Sequence, residues 1–403
     1  MQWEINATVF KVRTYNTISV KGLDRFNRQC YEVGGDIGHP DALLLRSHKL
    51  QPDEILDSVT AIARAGAGVN NIPLDYCTDH GIPVFNTPGA NANAVKELVA
   101  AGMLLASRDI LGGIDFVRSL DESMSAEAMG PLLEAEKKRF AGAELRGKTL
   151  GVLGLGAIGS LIARLGLNLG MDVVGYDPAL SVEAAWRLPS DVQRMENMQA
   201  LFSRADFISI HVPMLDSTRG LINAESLKYF KADACLLNFA REEIVATDDV
   251  VAALDAKKLR RYVTDFPHPL LRQRTDTILM PHIGASTAEA EENCAMMAAD
   301  QIKAFLEHGN IRNSVNFPAI ELERTTGARI AITNRNSPGM LSNILTLIGD
   351  SDINVIDLLN KSRGDIAYNL IDLESEPDEE LMSKLRAVTG VVNVRHIEPP
   401  QCV

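Results

Sequence analysis

Residues 148–178 read KTLGVLGLGAIGSLIARLGLNLGMDVVGYDP. The run Thr149–Leu153 is short and apolar and predicts a buried strand. Gly154, Gly156 and Gly159 then spell G-x-G-x-x-G, and a helical pattern follows over 158–169. A second apolar run, 173–176, ends at Asp177. Each glycine has its own physical reason. The first allows the tight strand-to-helix turn, the second lets backbone approach a pyrophosphate, and the third lets helix and strand pack closely. The helix N-terminus offers unpaired N–H groups and a positive dipole end. Asp177 stands at the distance that suits the adenosine ribose hydroxyls, and its charge would repel a 2′-phosphate, which favours NAD over NADP. An ordinary tight βα turn in another doubly wound sheet would show the same glycines. The flanking strand, the helix and the terminal acid favour a dinucleotide, but they leave the reaction open.

The rest of the chain narrows the class. A chain of 403 residues predicts two or three domains. Its formal charge of −13 argues against a nucleic-acid footprint and against anionic membranes. An anionic substrate must therefore be held by local basic groups. The five cysteines (Cys30, Cys77, Cys235, Cys294, Cys402) are scattered and lack CxxC spacing, which predicts free thiols in a reducing cytosol and no zinc site. The opening residues show no signal-peptide pattern, and no run approaches a membrane span, so a cytoplasmic protein is expected.

Taken in order, residues 1–90 predict a small parallel α/β unit with strands at Ala42–Leu45, Ala61–Arg64 and 84–86. Ligands in such sheets sit at the strand ends and the loops after them. The loop AGAGVNN follows Ala61–Arg64, and its small residues suit a backbone anion nest. Arg46 and Lys49 lie at the end of another strand; the bland reading is two solvated surface charges. A strongly apolar helix over 93–106 leads to a polar stretch, 112–144, expected to wrap the surface as helix and loop. The βα alternation then continues to MPHIG, and a long helix begins near Ser286. After the linker NSVNFPAIELERTTG, residues 328–403 predict βαββαβ, a ferredoxin-like unit with a hairpin around Arg363-Gly364.

In that order, RAGAGVNNIP, LRGKTLGVLGLGAIG, HVP with Thr218, LNFAREEIV, VTDFP and MPHIGAST make the chain resemble the D-isomer-specific 2-hydroxyacid dehydrogenases. Within that family it is most similar to the short-form D-3-phosphoglycerate dehydrogenases with a C-terminal ACT domain. The resemblance covers nearly the whole chain. It implies an α/β protein with two Rossmann-like domains: a discontinuous substrate domain over 1–90 and 287–318, and an NAD-binding domain over 91–286. An ACT regulatory domain over 328–403 would follow.

The resemblance also implies roles. Arg241 matches the family's catalytic arginine, suited to fork onto the substrate carboxylate. His282 matches its catalytic histidine, suited to move the hydroxyl proton near neutral pH. Cofactor contacts carry over to Gly154, Gly156, Ala157, Ile158, Gly159, Asp177, His211, Pro213, Thr218, Ala240, Asp265 and Gly284. Substrate contacts carry over to Arg46 and Lys49 for a phosphate, to Arg64 close to the same loop, and to Gly66, Ala67, Gly68, Val69 and Asn93 near the carboxylate. No metal is implied. In the tail Asn334, Asn336 and Asn354 match positions that hold L-serine, with Asn334 standing where those relatives have His. A homo-oligomer, dimer or tetramer, is implied as well.

One departure is plain. The family places a Glu after the VTDFP-like strand to pair with the histidine, and this chain has His268 and Pro269 there. The imidazolium form of His282 thus loses a charge-assisted bond. The expected activity is NAD-dependent oxidation of 3-phospho-D-glycerate to 3-phosphohydroxypyruvate, the first step of L-serine biosynthesis. The alternatives are a dehydrogenase of another small D-2-hydroxy acid, or a non-catalytic NAD-sensing protein on the same scaffold.

Overall fold

The computed structural model describes residues 9–325 and 327–398. They gather into two compact units, one built from both chain ends (Met1–Asn91 with Ala288–Val403) and one from Ala92–Thr287. The first unit opens with strands β1 (Phe10–Thr14), β2 (Tyr31–Gly34), β3 (Ala42–Leu45), β4 (Ala61–Arg64) and β5 (Val84–Phe85). All pair in parallel, in the order β2-β1-β3-β4-β5. β3 is buried along its whole length, so it reads as an unbroken apolar run. The apolar pattern does not disclose β1 or β2, because FKVRT alternates with long cations and Arg13 spends its guanidinium on the Ile37 carbonyl.

The second unit opens with helix α1 (Ala92–Ser107). Its sheet comprises β6 (Thr149–Leu153), β7 (Asp172–Tyr176), β8 (Gln193–Arg194), β9 (Phe207–Ile210), β10 (Ala234–Asn238), β11 (Leu259–Thr264) and β12 (Thr277–Leu279). The order is β12-β11-β10-β9-β6-β7-β8, and every pair is parallel. The chain reverses its direction of travel across the sheet between β6 and β9, and ligands of such sheets bind at that switch point, outside the carboxyl ends. Helix α2 (Ala157–Asn168) follows β6 directly. Val95, Val99 and Met103 of α1 share a core with Leu150, Ile162 and Leu237. Gly102 permits this: a Cβ there would lie 3.2 Å from both Phe239 and Val263. The polar stretch after α1 forms two further helices, Ile110–Arg118 and Ala126–Glu136, capped by the Asp109 and Ser125 side chains and without a buried residue.

The chain then returns to the first unit through helix α3 (Ala288–His308). Ala295, Ala298, Ile302 and Phe305 of α3 join the core of the first sheet. The tail forms β13 (Ala328–Arg335), α4 (Met340–Asp350), β14 (Val355–Arg363), β15 (Ile366–Leu373), α5 (Glu379–Ala387) and β16 (Val391–Ile397). This is βαββαβ with an antiparallel sheet in the order β14-β15-β13-β16. Asp378, whose side chain accepts from Leu381 N–H at 2.8 Å, caps α5.

Both faces of this sheet are covered. Ile330, Ile332, Ile371 and Leu373 pack with α4 and α5, while Ile366, Tyr368, Leu370 and Ile397 pack with Phe305 and Phe317. The Tyr368 hydroxyl donates to the Gly309 carbonyl at 2.9 Å, and the Arg395 guanidinium lies 4.3 Å over the Phe305 ring. Arg329 and Asp372 form a buried ion pair, 0% and 2% exposed. Arg329 Nε and Nη2 grip the two carboxylate oxygens at 2.6 and 2.9 Å, and its remaining donors reach the carbonyls of His308, Leu322 and Glu323. The tail therefore groups with the first sheet in one compact unit. Cys77, Cys235 and Cys294 are buried free thiols as expected, whereas Cys30 is disulfide-bonded, against the expectation; Cys402 lies outside the described residues. No helix among the described residues is long and apolar enough to cross a membrane.

Candidate active site

The glycine turn has the geometry that strand, pyrophosphate and helix require of it. Gly154 sits at φ +90°, and a Cβ there would meet the His211 backbone at 2.7 Å. A Cβ on Gly159 would lie 1.9 Å from the Gly154 carbonyl oxygen, so the helix reaches the strand end only without a side chain. A Cβ on Gly156 would meet no atom within 4 Å. Gly156 and Ala157 are exposed, and no side chain caps α2, so its first N–H groups are left for an anion. Ile158 is half-buried against the core. Asp177 stands at the end of β7 and accepts from Leu155 N–H at 2.8 Å and Ala179 N–H at 2.9 Å. It braces the turn while its carboxylate oxygens keep further lone pairs for hydroxyl groups. These features fit a dinucleotide pyrophosphate and its adenosine ribose.

The loops after β9 to β12 carry the other groups. His211 Nε2 pairs with Ser209 Oγ at 2.7 Å, and Nδ1 is buried without a partner. Burial pushes the imidazole down to about 3, which favours its neutral form. Thr218 cinches its loop by donating to the Pro213 carbonyl at 2.7 Å and accepting from Leu215 N–H at 2.8 Å. Asn238 is wholly buried at the end of β10; its amide donates to the Arg241 carbonyl at 2.9 Å and its oxygen accepts from Ala240 N–H at 3.1 Å. The sequence motifs do not single Asn238 out; its one signal is a polar residue closing an apolar strand. Arg241 is exposed, with Nη1 donating to the Ala240 carbonyl at 2.6 Å.

Asp265 is the hub of this end of the sheet. It is 1% exposed; Oδ2 accepts from Gly284 N–H at 2.8 Å, and its carbonyl accepts from His282 N–H at 2.8 Å. Oδ1 is buried without a partner. The carboxyl stands above its ordinary value because burial pushes it up, and the Gly284 N–H, His282 and Arg241 offset only part of that rise. Arg241, Asp265 and His282 thus lie within one electrostatic neighbourhood. His282 is exposed and takes the left-handed φ of +50°, uncommon outside glycine, held by its N–H bonds to Asp265 and Met280. Its ring lies 4.9 Å from that of Phe266. No carboxylate among the described residues bonds its ring nitrogens. His268 caps the short turn Pro269–Leu271 through Nδ1, in the place where the family pattern has a glutamate.

The first unit holds the candidate anion groups. Arg46 is half-exposed and ion-paired with Glu291 of α3. Lys49 is exposed, with no ion pair among the described residues. Arg64 Nε donates to the Arg46 carbonyl at 3.0 Å, and its guanidinium lies so near Gly66 that a Cβ there would sit 2.4 Å from Nη1. The loop of Gly66, Ala67, Gly68 and Val69 is half-buried and pinned by Thr87 N–H on the Gly66 carbonyl and Asn86 on the Ala67 carbonyl. Asn93 belongs to the other unit, exposed on α1, where it bonds Glu97 and Lys96.

In the tail, Asn334 is buried, and its carboxamide is spent on the Arg335 carbonyl and on Asn369, which Asn360 bonds in turn. Asn336 reaches the Gly364 carbonyl at 3.2 Å. Asn354 accepts from Glu374 N–H, and the pairing register places it at the opposite end of the sheet. One copy of the chain does not bring these three asparagines together.

Comparison with known proteins decides the family. The profile of the D-isomer specific 2-hydroxyacid dehydrogenase NAD binding domain matches residues 109–284. D-3-phosphoglycerate dehydrogenase of Haemophilus influenzae is 31% identical over 367 residues, covering 87% of this chain and 85% of that protein. The chain belongs to the D-isomer specific 2-hydroxyacid dehydrogenase family. D-3-phosphoglycerate dehydrogenase of Dictyostelium discoideum is 30% identical over 413 residues, covering 96% of each chain. Among solved structures, the NAD+-bound 3-phosphoglycerate dehydrogenase of Entamoeba histolytica superposes with a TM-score of 0.58 at 25% identity, covering 77% of this chain and 99% of that one. D-mandelate dehydrogenase of Rhodotorula graminis shares the fold at a TM-score of 0.66 and 23% identity, over 78% and 100% of the two chains.

As a member of this family the chain uses NAD, and the glycine turn yields a contrast between two substitutions. Gly156→Val is expected to leave the melting temperature nearly unchanged, because a Cβ there meets no protein atom, and to weaken NAD binding by about tenfold or more, because it would face a pyrophosphate at the helix N-terminus. Gly159→Ala lowers the melting temperature instead, since its Cβ collides with backbone. Calorimetric titration with NAD beside thermal unfolding separates the two.

Proposed function

We propose that the chain oxidises 3-phospho-D-glycerate to 3-phosphohydroxypyruvate, the reaction that begins L-serine synthesis. The observation that carries the reading is the grouping of Arg241 and His282 around buried Asp265, in the sheet that bears the glycine turn. Arg241 forks onto the substrate carboxylate and fixes the position of C2. His282 takes the C2 hydroxyl proton as general base. NAD, when bound, supplies the hydride acceptor, held by the 154–159 turn and Asp177. Arg46 and Lys49 hold the phosphate by charge, and the Gly66–Val69 backbone supports the carboxylate end.

Asp265 acts through the loop it holds. Asp265→Asn keeps an oxygen for Gly284 N–H and removes the charge, while Asp265→Ala releases the loop. The alanine variant is expected to lose about 10²-fold in kcat, the cost of a misplaced catalytic group, and the asparagine variant to recover most of that loss. Equal losses in both would show that the charge, not the positioning, matters.

The test of the reading is NADH formation by the full chain with NAD and 3-phospho-D-glycerate, compared with unphosphorylated D-2-hydroxy acids. Turnover confined to the phosphorylated acid supports the reading; turnover only with another D-2-hydroxy acid, or none at all, overturns it. The second outcome would favour the NAD-sensing reading, which draws support from the missing carboxylate partner of His282. The βαββαβ tail supports an ACT-type module, and L-serine inhibition of turnover by an oligomer is the measurement for its effector role. A cytoplasmic location belongs to the same reading.

A further inference from the structure

In the segment after β3, two backbone N–H groups are already spent, which leaves the charged side chains as the main anion-binding groups. The N–H groups of Ser47 and His48 both donate to the Asn16 side chain, at 3.0 and 2.7 Å, and are not available to a ligand. The Arg46 backbone is fixed, its carbonyl accepting from Arg64 Nε at 3.0 Å and from Asn71 at 3.2 Å. His48 is occupied by Glu54 at 2.8 Å. Lys49 and Arg46 remain, and they differ: Lys49 has no ion pair among the described residues, whereas the Arg46 guanidinium is held by Glu291 from the first turn of α3. Both side chains of that pair are 42% exposed, so an incoming anion can reach it and compete for it.

We infer that Glu291 is the resident counter-ion of Arg46, and that the substrate phosphate must displace it to bind. The inference rests on the phosphate role proposed for Arg46. A phosphate monoester carries a charge of about −1.5 to −2 at neutral pH and three strong acceptor oxygens, so it outcompetes a single carboxylate for the guanidinium. Each binding event must first break the Arg46–Glu291 pair, which makes Glu291, acting through Arg46, a determinant of how tightly phosphorylated acids are held. It does not touch the reacting atoms.

Glu291→Gln keeps the side-chain length and removes the charge. In the full chain, KM for 3-phospho-D-glycerate should fall by about two- to fivefold, the scale of a half-exposed charge pair, with the change carried in KM and not in kcat. KM for D-glycerate, which lacks the phosphate, should not fall. Inorganic phosphate, read by its thermal stabilisation of the protein, should bind tighter by a similar factor, and Glu291→Ala should act in the same direction. In an Arg46→Gln background the gain should vanish. An unchanged or raised KM in Glu291→Gln, an equal gain with D-glycerate, or a gain that survives Arg46→Gln overturns the inference. The phosphate measurement needs no turnover, so it still decides the counter-ion role if 3-phospho-D-glycerate proves not to be a substrate.

Discussion

His282→Ala is expected to lower kcat for 3-phospho-D-glycerate oxidation by about 10²- to 10⁴-fold, the range that a positioned general base contributes. NAD affinity should stay close to that of the unaltered chain, because the 154–159 turn and Asp177, the groups proposed to hold the dinucleotide, are untouched. The loop should also keep its path. The backbone bonds from residue 282 to Asp265 and Met280 do not use the side chain, and alanine carries the same left-handed φ of +50°. His282→Gly is the sharper control, since glycine adopts that φ without strain. It should melt slightly higher than the alanine variant and be equally inactive. Rapid-mixing measurement of NADH formation, with NAD titration alongside, checks both statements. Turnover within tenfold of the unaltered chain in His282→Ala would assign the proton transfer to another group.

The largest expected effect on stability lies far from the chemistry. Asp372→Ala leaves Arg329 buried with its charge uncompensated, and breaking such a pair costs about 3–5 kcal/mol. The substitution also frees Thr325, whose N–H and hydroxyl both bond the carboxylate. Replacing the two together, Arg329→Met with Asp372→Leu, should recover much of the loss because no lone charge remains. The pair carries a pH signature. Burial raises the Asp372 carboxyl, but hydrogen bonds from Arg329 and Thr325 outweigh it, and the net direction is below the ordinary carboxylate value. A lowered carboxylate contributes stability that is present above the ordinary value and is lost as pH falls through the lower folded one. Urea unfolding followed from neutral to acid pH should show this loss in the unaltered chain and its absence in the double replacement.

Much of this architecture can be read from the sequence because the central strands are covered on both faces. β3, β9 and β10 are buried throughout, so they stand out as apolar runs, and the glycine turn is visible because three steric requirements fall at fixed spacing. The groups that hold the site are harder to see. Asn238 acts by taking up backbone groups two and three residues onward, which no composition pattern encodes. Asp265 is recognisable as the acid of the VTDFP motif, but its grip on residues 282 and 284 depends on how two separate strands end side by side. Arg329 lies in ARIAIT and Asp372 in IAYNLIDL, each a charge in an apolar strand. Only the antiparallel register of β13 and β15 brings them together. The Arg46–Glu291 pair joins positions 245 residues apart and likewise has no local trace.

The burial of the tail sheet on both faces has a consequence for how the chain can be cut. Ile366, Tyr368 and Leu370 form one wall of the compartment that holds Phe305 and Phe317, so removing residues 328–403 would strip cover from α3 and expose a continuous aromatic and aliphatic surface. A truncated enzyme ending in the linker would thus not be a smaller version of the same molecule. It would be a sticky fragment, prone to associate through the bared helix. The tail and the first sheet share one core, and changes in either must be accommodated by the other.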